Sequence, residues 1–202
     1  MANVTLTMKN LEKRGFSVSR FADKESAAAY LLGEIGDKPV GIGGSVTIDE
    51  LNIYPALLER GDVFWHWFER PYNLQVMAAA NAAPVYLMSA NGVSESGLLI
   101  NIDGLGNRVM NMCYGHERVY IVIGINKIAP NDEMALWRAR NIAGPKNVRR
   151  LEMSPPCSVG EEIKCYDCNH PERICRAFVS LERKPVGIGV FEIVIVDEAL
   201  GF

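Results

Sequence analysis

Three absences narrow this chain before any motif is read. Lys and Arg together number 21 against 24 Asp and Glu, giving a net charge of -3 and a pI near 5.7. The basic footprint of nucleic-acid binders is missing, so nucleic acid is set aside as a partner. No apolar run approaches the roughly 20 residues of a membrane-spanning helix. Met1-Ala2-Asn3-Val4 opens directly into a polar helical pattern instead of a signal sequence, and a cytoplasmic location is expected. Internal repeats and low-complexity segments are also lacking, which argues against solenoids and linkers.

What is present is ordinary soluble composition, 49% hydrophobic and 22% charged, in 202 residues. That length suits one domain over residues 1–202 with a substantial core. Val4, Met8 and Leu11 predict an amphipathic helix, Phe16 to Phe21 a short strand, and Lys24 to Ile35 a second helix. Further on, 40–42, 85–88, 119–125, 178–182 and 190–196 read as strands. Helices about 74–82, 109–115 and 132–143, the last capped by Asp132, fall between them. Such alternation predicts an α/β fold with an open, largely parallel sheet flanked by helices, whose ligands sit beyond the carboxyl ends of strands. Ser45, Asn91 and Lys127 each follow a predicted strand.

The stretch Ser89 to Val109, S-A-N-G-V-S-E-S-G-L-L-I-N-I-D-G-L-G-N-R-V, stands out between apolar neighbours. Leu98 to Ile102 reads as a buried strand between glycine- and asparagine-rich turns, where backbone can approach a ligand closely. A hairpin with tight turns accounts for the same pattern. Upstream, Val40-Gly41-Ile42-Gly43-Gly44-Ser45 ends a strand in a glycine loop, and Thr47 with Glu50 has capping-box spacing. Strand, glycine loop and helix offer backbone N–H groups to an anion, although no Walker or dinucleotide fingerprint is completed. A tight turn without ligand fits equally. Phe64, Trp65, Trp67 and Phe68 with His66 form an aromatic group that suits a pocket, an interface or plain core packing.

Residues 155–176 break the alternation. Cys157, Cys165, Cys168 and Cys175 are spaced C-x7-C-x2-C-x6-C, and four thiolates so placed suit a zinc ion or an iron–sulfur cluster. A thiol-rich loop or a reversible disulfide would give the same spacing, whereas Cys113 reads as core.

Taken in order, G-I-G-G-S-V-T, N-x-x-x-E-x-G-x-L-x-N-I-D-G-x-G-N-R, G-x-N-K-I, R-x-x-N-I-A-x-P and P-C…C-x-D-C…E-R-I-C resemble the lactate-utilisation (LUD) domain family from about residue 3 onward. The resemblance implies a variant of the isomerase and CoA-transferase fold related to ribose-phosphate isomerases. It also implies service in lactate-type oxidation beside iron–sulfur oxidoreductase subunits. Carried position by position, it points to Gly43, Gly44, Ser45, Asn91, Asn107, Arg108, Asn126 and Lys127 as ligand-binding residues. Glu95, Asp103 and Lys127 are the catalytic candidates, and Gly104 belongs to the same motif. Ser96 and Ala83-Pro84 depart from the family pattern. The related CoA-transferases carry a nucleophilic glutamate in a Ser-Glu-Asn-Gly turn, but this chain has Ser89-Ala90-Asn91-Gly92, and alanine cannot form that acyl intermediate.

The leading expectation is a protein that binds a small anionic metabolite or nucleotide and supports organic-acid oxidation, with the cysteines as a metal-binding or redox appendage. The alternative is a non-enzymatic subunit that binds partners through its aromatic region and carries structural zinc. A sugar-phosphate isomerase rests on fold analogy alone. A homodimer is expected as the commonest assembly.

Overall fold

The computed structural model describes residues 2–68 and 73–202. Among the described residues, ten strands run in chain order: β1 (Ser17–Phe21), β2 (Val40–Ile42), β3 (Val63–Phe64), β4 (Val85–Met88), β5 (Gly92–Ser94), β6 (Leu99–Asp103), β7 (Arg118–Gly124), β8 (Ile128–Ala129), β9 (Ala177–Leu181) and β10 (Val190–Val196). The helices between them are α1 (Val4–Lys13), α2 (Lys24–Ile35), α3 (Val46–Glu50), α4 (Tyr54–Leu58), α5 (Leu74–Ala82), α6 (Asn107–Asn111), α7 (Asp132–Arg138), α8 (Gly144–Arg150) and α9 (Pro156–Val159).

Six strands form an open parallel sheet in the order β1-β10-β7-β4-β2-β3, the architecture expected from the alternating pattern. Its middle strands are nearly continuous apolar runs because helices cover both faces. Alternate side chains separate cleanly. Tyr86, Met88, Val119, Ile121, Ile123, Ile193 and Ile195 enter one core, while Val85, Leu87, Tyr120, Val122, Val194 and Val196 enter the other.

A second, four-stranded sheet, β8-β5-β6-β9, does not follow from the alternation. β5 and β6 make the antiparallel hairpin of the Ser89–Val109 stretch, and β9 pairs antiparallel with β6 from far along the chain. Beneath it lies a small core of Ile100, Ile102, Ala129, Ala135 and Ala139.

Two helix starts differ from expectation. The cap of α3 is Ser45, whose side chain accepts from Ile48 N–H at 3.3 Å, whereas Thr47 is buried inside the helix. Asn131, and not Asp132, caps α7 by accepting from Met134 N–H at 2.8 Å. In both cases the capping residue holds extended backbone, which the cap geometry demands. Nor does one helix run from 132 to 143: a π-helical turn, Ala139–Ala143, separates α7 from α8. α7 buries Ala135 and Arg138 and leaves Trp137 49% exposed, so size and apolarity do not mark its inner face.

All parallel strands end on one edge, with Gly43 after β2, Ser89 after β4 and the 3-10 turn Ile125–Lys127 after β7. From the neighbours β2 and β4 the chain departs in opposite directions, toward β3 and toward β7. That is the switch point where open α/β sheets leave a crevice.

α5 packs against β2 so closely that a side-chain carbon on Gly41 would collide with the Ala80 carbonyl. Gly41→Ala is expected to destabilise the fold by about 1–3 kcal/mol through overpacking. Chemical denaturation checks this, and an unchanged midpoint would refute the close approach.

Candidate functional site

Lys127 leaves the sheet edge on the 3-10 turn after β7 and is 3% exposed. Its Nζ donates to Thr47 Oγ1 at 2.7 Å and to Ser89 Oγ at 2.8 Å. Ser89 Oγ in turn donates to the Val122 carbonyl at 2.6 Å, which fixes it as an acceptor for the lysine. Arg138, 7% exposed, donates to the backbone oxygens of Asn126, Asn91 and Phe202. Among the described residues neither cation has an Asp or Glu ion-pair partner. Burial, reinforced by the positive charges of Arg138 and Arg108 and opposed by Glu50, pushes the Lys127 amine down to about 7. Burial also pushes the Arg138 guanidinium down to about 10.

The segment after β10 roofs the lysine. Gly201 sits at φ +58, and a side-chain carbon there would run into Thr47 Oγ1 and lie 3.3 Å from Lys127 Nζ. Both the backbone angle and the space favour glycine. Asn126 ties this segment down, its Oδ1 accepting from Leu200 N–H at 3.1 Å, and Glu50 accepts from Gly201 N–H at 2.7 Å.

Beside this pair, the glycine loop is ringed by polar and aromatic side chains. A side-chain carbon on Gly43 would lie 2.9 Å from Arg108 and 3.1 Å from the Tyr86 hydroxyl; one on Gly44 would lie 2.8 Å from Trp67 Nε1 and 3.4 Å from His66. Arg150 covers the Trp67 ring at 4.5 Å. Arg108 is the electrostatic hub, since its charge reaches Lys127, His66 and Arg150. Burial holds His66 below its ordinary range, with Arg108 and Arg150 adding to the effect and Asp103 opposing it. Burial likewise lowers Arg150, helped by Arg108 and opposed by Asp49.

The four clustered cysteines share one small, partly open cavity. Cys157, Cys165, Cys168 and Cys175 line it together with Arg140 and Arg173, and none of the five cysteines is in a disulfide. Among the described residues, however, no three His, Cys, Asp or Glu side chains are gathered as ligands of a metal ion. A ready metal site is thus not what these side chains form among the described residues.

The LUD domain model matches residues 4–196 of the chain, nearly its whole length. The chain belongs to the LUD domain family. A solved structure, the crystal structure of a DUF162 family protein from Deinococcus radiodurans, is similar over 96% of this chain and 95% of its own, with a TM-score of 0.57 and 11% identity. At that identity the likeness speaks for the fold. Among curated proteins none matches the chain.

Within this LUD fold the residues expected from sequence divide by role. Gly43 lies against Arg108, Gly44 against Trp67 and His66, and Lys127 is buried beneath Gly201, all beyond the carboxyl ends of the strands. Ser45 is used as a helix cap, and Asn126 anchors the segment over Lys127. Asn91 stitches the hairpin, its Oδ1 accepting from Ile102 N–H at 2.8 Å. Asp103 is buried and accepts from the N–H groups of Leu105, Arg108 and Val109 at 3.3, 2.9 and 3.2 Å. It also lies 3.7 Å from Arg108 Nε, so it fixes the start of α6 and orients the arginine. Asn107 opens α6, its backbone oxygen accepting from Asn111 Nδ2 at 2.8 Å. Gly104 packs against the Ile174 backbone. Glu95 stands apart, at the far end of β5 from Asn91, where its carboxylate accepts from Asn3 N–H at 2.7 Å. Sequence reasoning did not single out Thr47, Tyr86, Arg138 or Arg150 as neighbours of these residues, although it did name His66 and the stretch beginning at Ser89. For Arg138 a signal existed, since it opens the R-x-x-N-I-A-x-P motif.

The lysine makes the stability of the protein depend on pH. Its folded-state value, about 7, lies below its usual 10.5, so its burial opposes folding most strongly below pH 7, and that penalty fades as pH rises toward 10.5. Lys127→Met is therefore expected to gain stability relative to the parent at pH 6–7 and to lose that advantage progressively up to pH 10. Melting temperatures of both proteins across this range check the sign, and a pH-independent difference would contradict it.

Proposed function

We propose that this LUD protein binds a small anionic metabolite, a carboxylate or phosphate compound, in the crevice beyond β2 and β4, and that it supports lactate-type organic-acid oxidation. One observation carries the reading: the buried Lys127 ammonium has only the Thr47 and Ser89 hydroxyls as hydrogen-bond partners among the described residues. A buried charge without a counter-charge is costly, and an incoming anion would offset that cost. Arg108, held by Asp103 and by the bond of its Nη2 to the Ile102 carbonyl, adds a further positive charge at this edge to attract a carboxylate or phosphate. Gly44 and Ser45 add backbone amides at the same edge, whereas the Gly43 N–H is taken by the Leu87 carbonyl at 3.0 Å. An amine near neutrality is also suited to move a proton at physiological pH, so Lys127 is the acid–base candidate of the site. Opening of the Leu200–Gly201 segment would admit the ligand.

The cysteine segment completes this reading as a metal-binding appendage, with Cys157, Cys165, Cys168 and Cys175 as its ligands. Iron–sulfur oxidoreductase subunits are then the natural partners, and a homodimer the natural assembly.

Thermal shift with lactate, pyruvate and inorganic phosphate tests the crevice. A ligand at about 100 times its Kd is expected to raise the melting temperature by roughly 5–10 °C. Because binding needs the protonated amine, affinity should weaken by up to about tenfold for each pH unit above 7. Lys127→Met and Arg108→Ala should abolish the shift. The absence of a shift with any of the three anions at pH 6.5 would refute the reading.

A further inference from the structure

Among the described residues the two sheets end in four edge strands, and three of these are guarded against pairing with another chain. β3 and β8 have two residues each, and β1 carries Arg20 among its five. β9 is different. Its five residues, Ala177-Phe178-Val179-Ser180-Leu181, hold neither charge nor proline, and Phe178 is 40% exposed. Resting on the homodimer of the preceding reading, the geometry points to its interface: β9 lies antiparallel to β9 of a second copy, about a twofold axis at Val179.

The backbone of β9 has one side to spare. Ser94 N–H donates to the Leu98 carbonyl and Asn91 N–H to the Ile100 carbonyl, both at 3.0 Å, so alternate residues along β6 are turned toward β5. Ladder bonds in antiparallel pairs alternate in the same way. Leu99, Asn101 and Asp103 are therefore the residues that bond to β9, at Leu181, Val179 and Ala177. Phe178 and Ser180 turn their N–H and C=O groups outward, where no strand among the described residues pairs with them.

Only outward-turned residues can exchange bonds across a new ladder, which leaves few registers, and charge selects among them. With the axis at Val179, Phe178 stands opposite the partner's Ser180, and Arg176 opposite the partner's Glu182. Symmetry makes the opposite-charge pair occur twice. An axis at Ser180 would instead set Arg176 against the partner's Lys184, and one at Phe178 would set Glu182 against the partner's Ile174. Both charged side chains are exposed, and neither is in an ion pair among the described residues. Arg176 bonds only to the backbone carbonyls of Arg173 and Pro171. On the other face Val179 meets its own counterpart and Ala177 meets the partner's Leu181, which extends the core where these three residues already pack. The strand is its own complement, so a second copy is the occupant it fits.

Analytical ultracentrifugation of the full chain is expected to show a particle of twice 22.4 kDa, with slow amide exchange at Phe178 and Ser180. Glu182→Arg or Arg176→Glu alone sets like charges opposite each other at both ends and should weaken the dimer about tenfold. An equimolar mixture of the two variants restores opposite charges and should dimerise like the parent. Ser180→Pro removes only an outward N–H, so it should give a monomer with the parent's far-ultraviolet circular dichroism. A parent that stays monomeric up to about 0.1 mM would overturn the homodimer and its interface together. A dimer indifferent to both Glu182→Arg and Ser180→Pro would overturn the interface and leave the homodimer standing. Weakened single variants that do not recover on mixing would overturn the register. Anion-induced thermal shift of the Ser180→Pro protein reports on the crevice separately, so the two readings fail independently.

Discussion

The buried ammonium of Lys127 is the constraint around which this LUD fold closes. Its two acceptors come from α3 and from the end of β4, its own backbone from the end of β7, and its roof from the chain after β10. Four segments far apart in sequence are thereby fastened at one point on the sheet edge. A core this apolar would normally exclude such a group, and hydroxyl partners alone leave its charge uncompensated. The surroundings answer by shifting the amine toward neutrality, which lowers the cost of keeping it buried at neutral pH.

Much of the scaffold was legible because its elements obey local rules. α2 and β4 occupy the spans that periodicity and apolar runs indicate, Lys24–Ile35 and Val85–Met88, since both are set by burial of a repeating face. The caps were misread for an equally local reason. Thr47 with Glu50 has the right spacing, but Ser45 is the residue that still holds extended backbone, φ -155 and ψ 116, before the helix begins. The second sheet lay beyond local rules altogether. Its central strand β6 finds β9 from Leu99↔Leu181 to Asp103↔Ala177, and no pattern within either segment names the other.

The site shows the same division. Arg108 and Lys127 were named through motif order, and the charge of Arg108 reaches the buried Lys127 amine. Asp103 and Asn91 belong to the same motif, yet their polar atoms go into the backbone of the hairpin and α6. Polar residues in a glycine-rich turn satisfy the turn before they serve a ligand, and sequence cannot distinguish the two uses. Arg138 is the reverse case. On an exposed helix face it would pass as a solvated charge, but α7 turns it inward beside two alanines, where only an arginine can span to three backbone oxygens.

The π-helical turn Ala139–Ala143 gives these arginines their bearings. On one side of it Arg138 enters the crevice, within it Arg140 faces the cysteines, and beyond it Arg150 at the end of α8 lies on Trp67. A π turn carries one residue more than an α turn, and each residue of an α-helix advances the rotation by about 100°. The extra residue therefore works as a phase offset along a single rod. Removing it would leave Arg138 in place while swinging every later side chain away from its target, and the two chambers of the molecule would fall out of register.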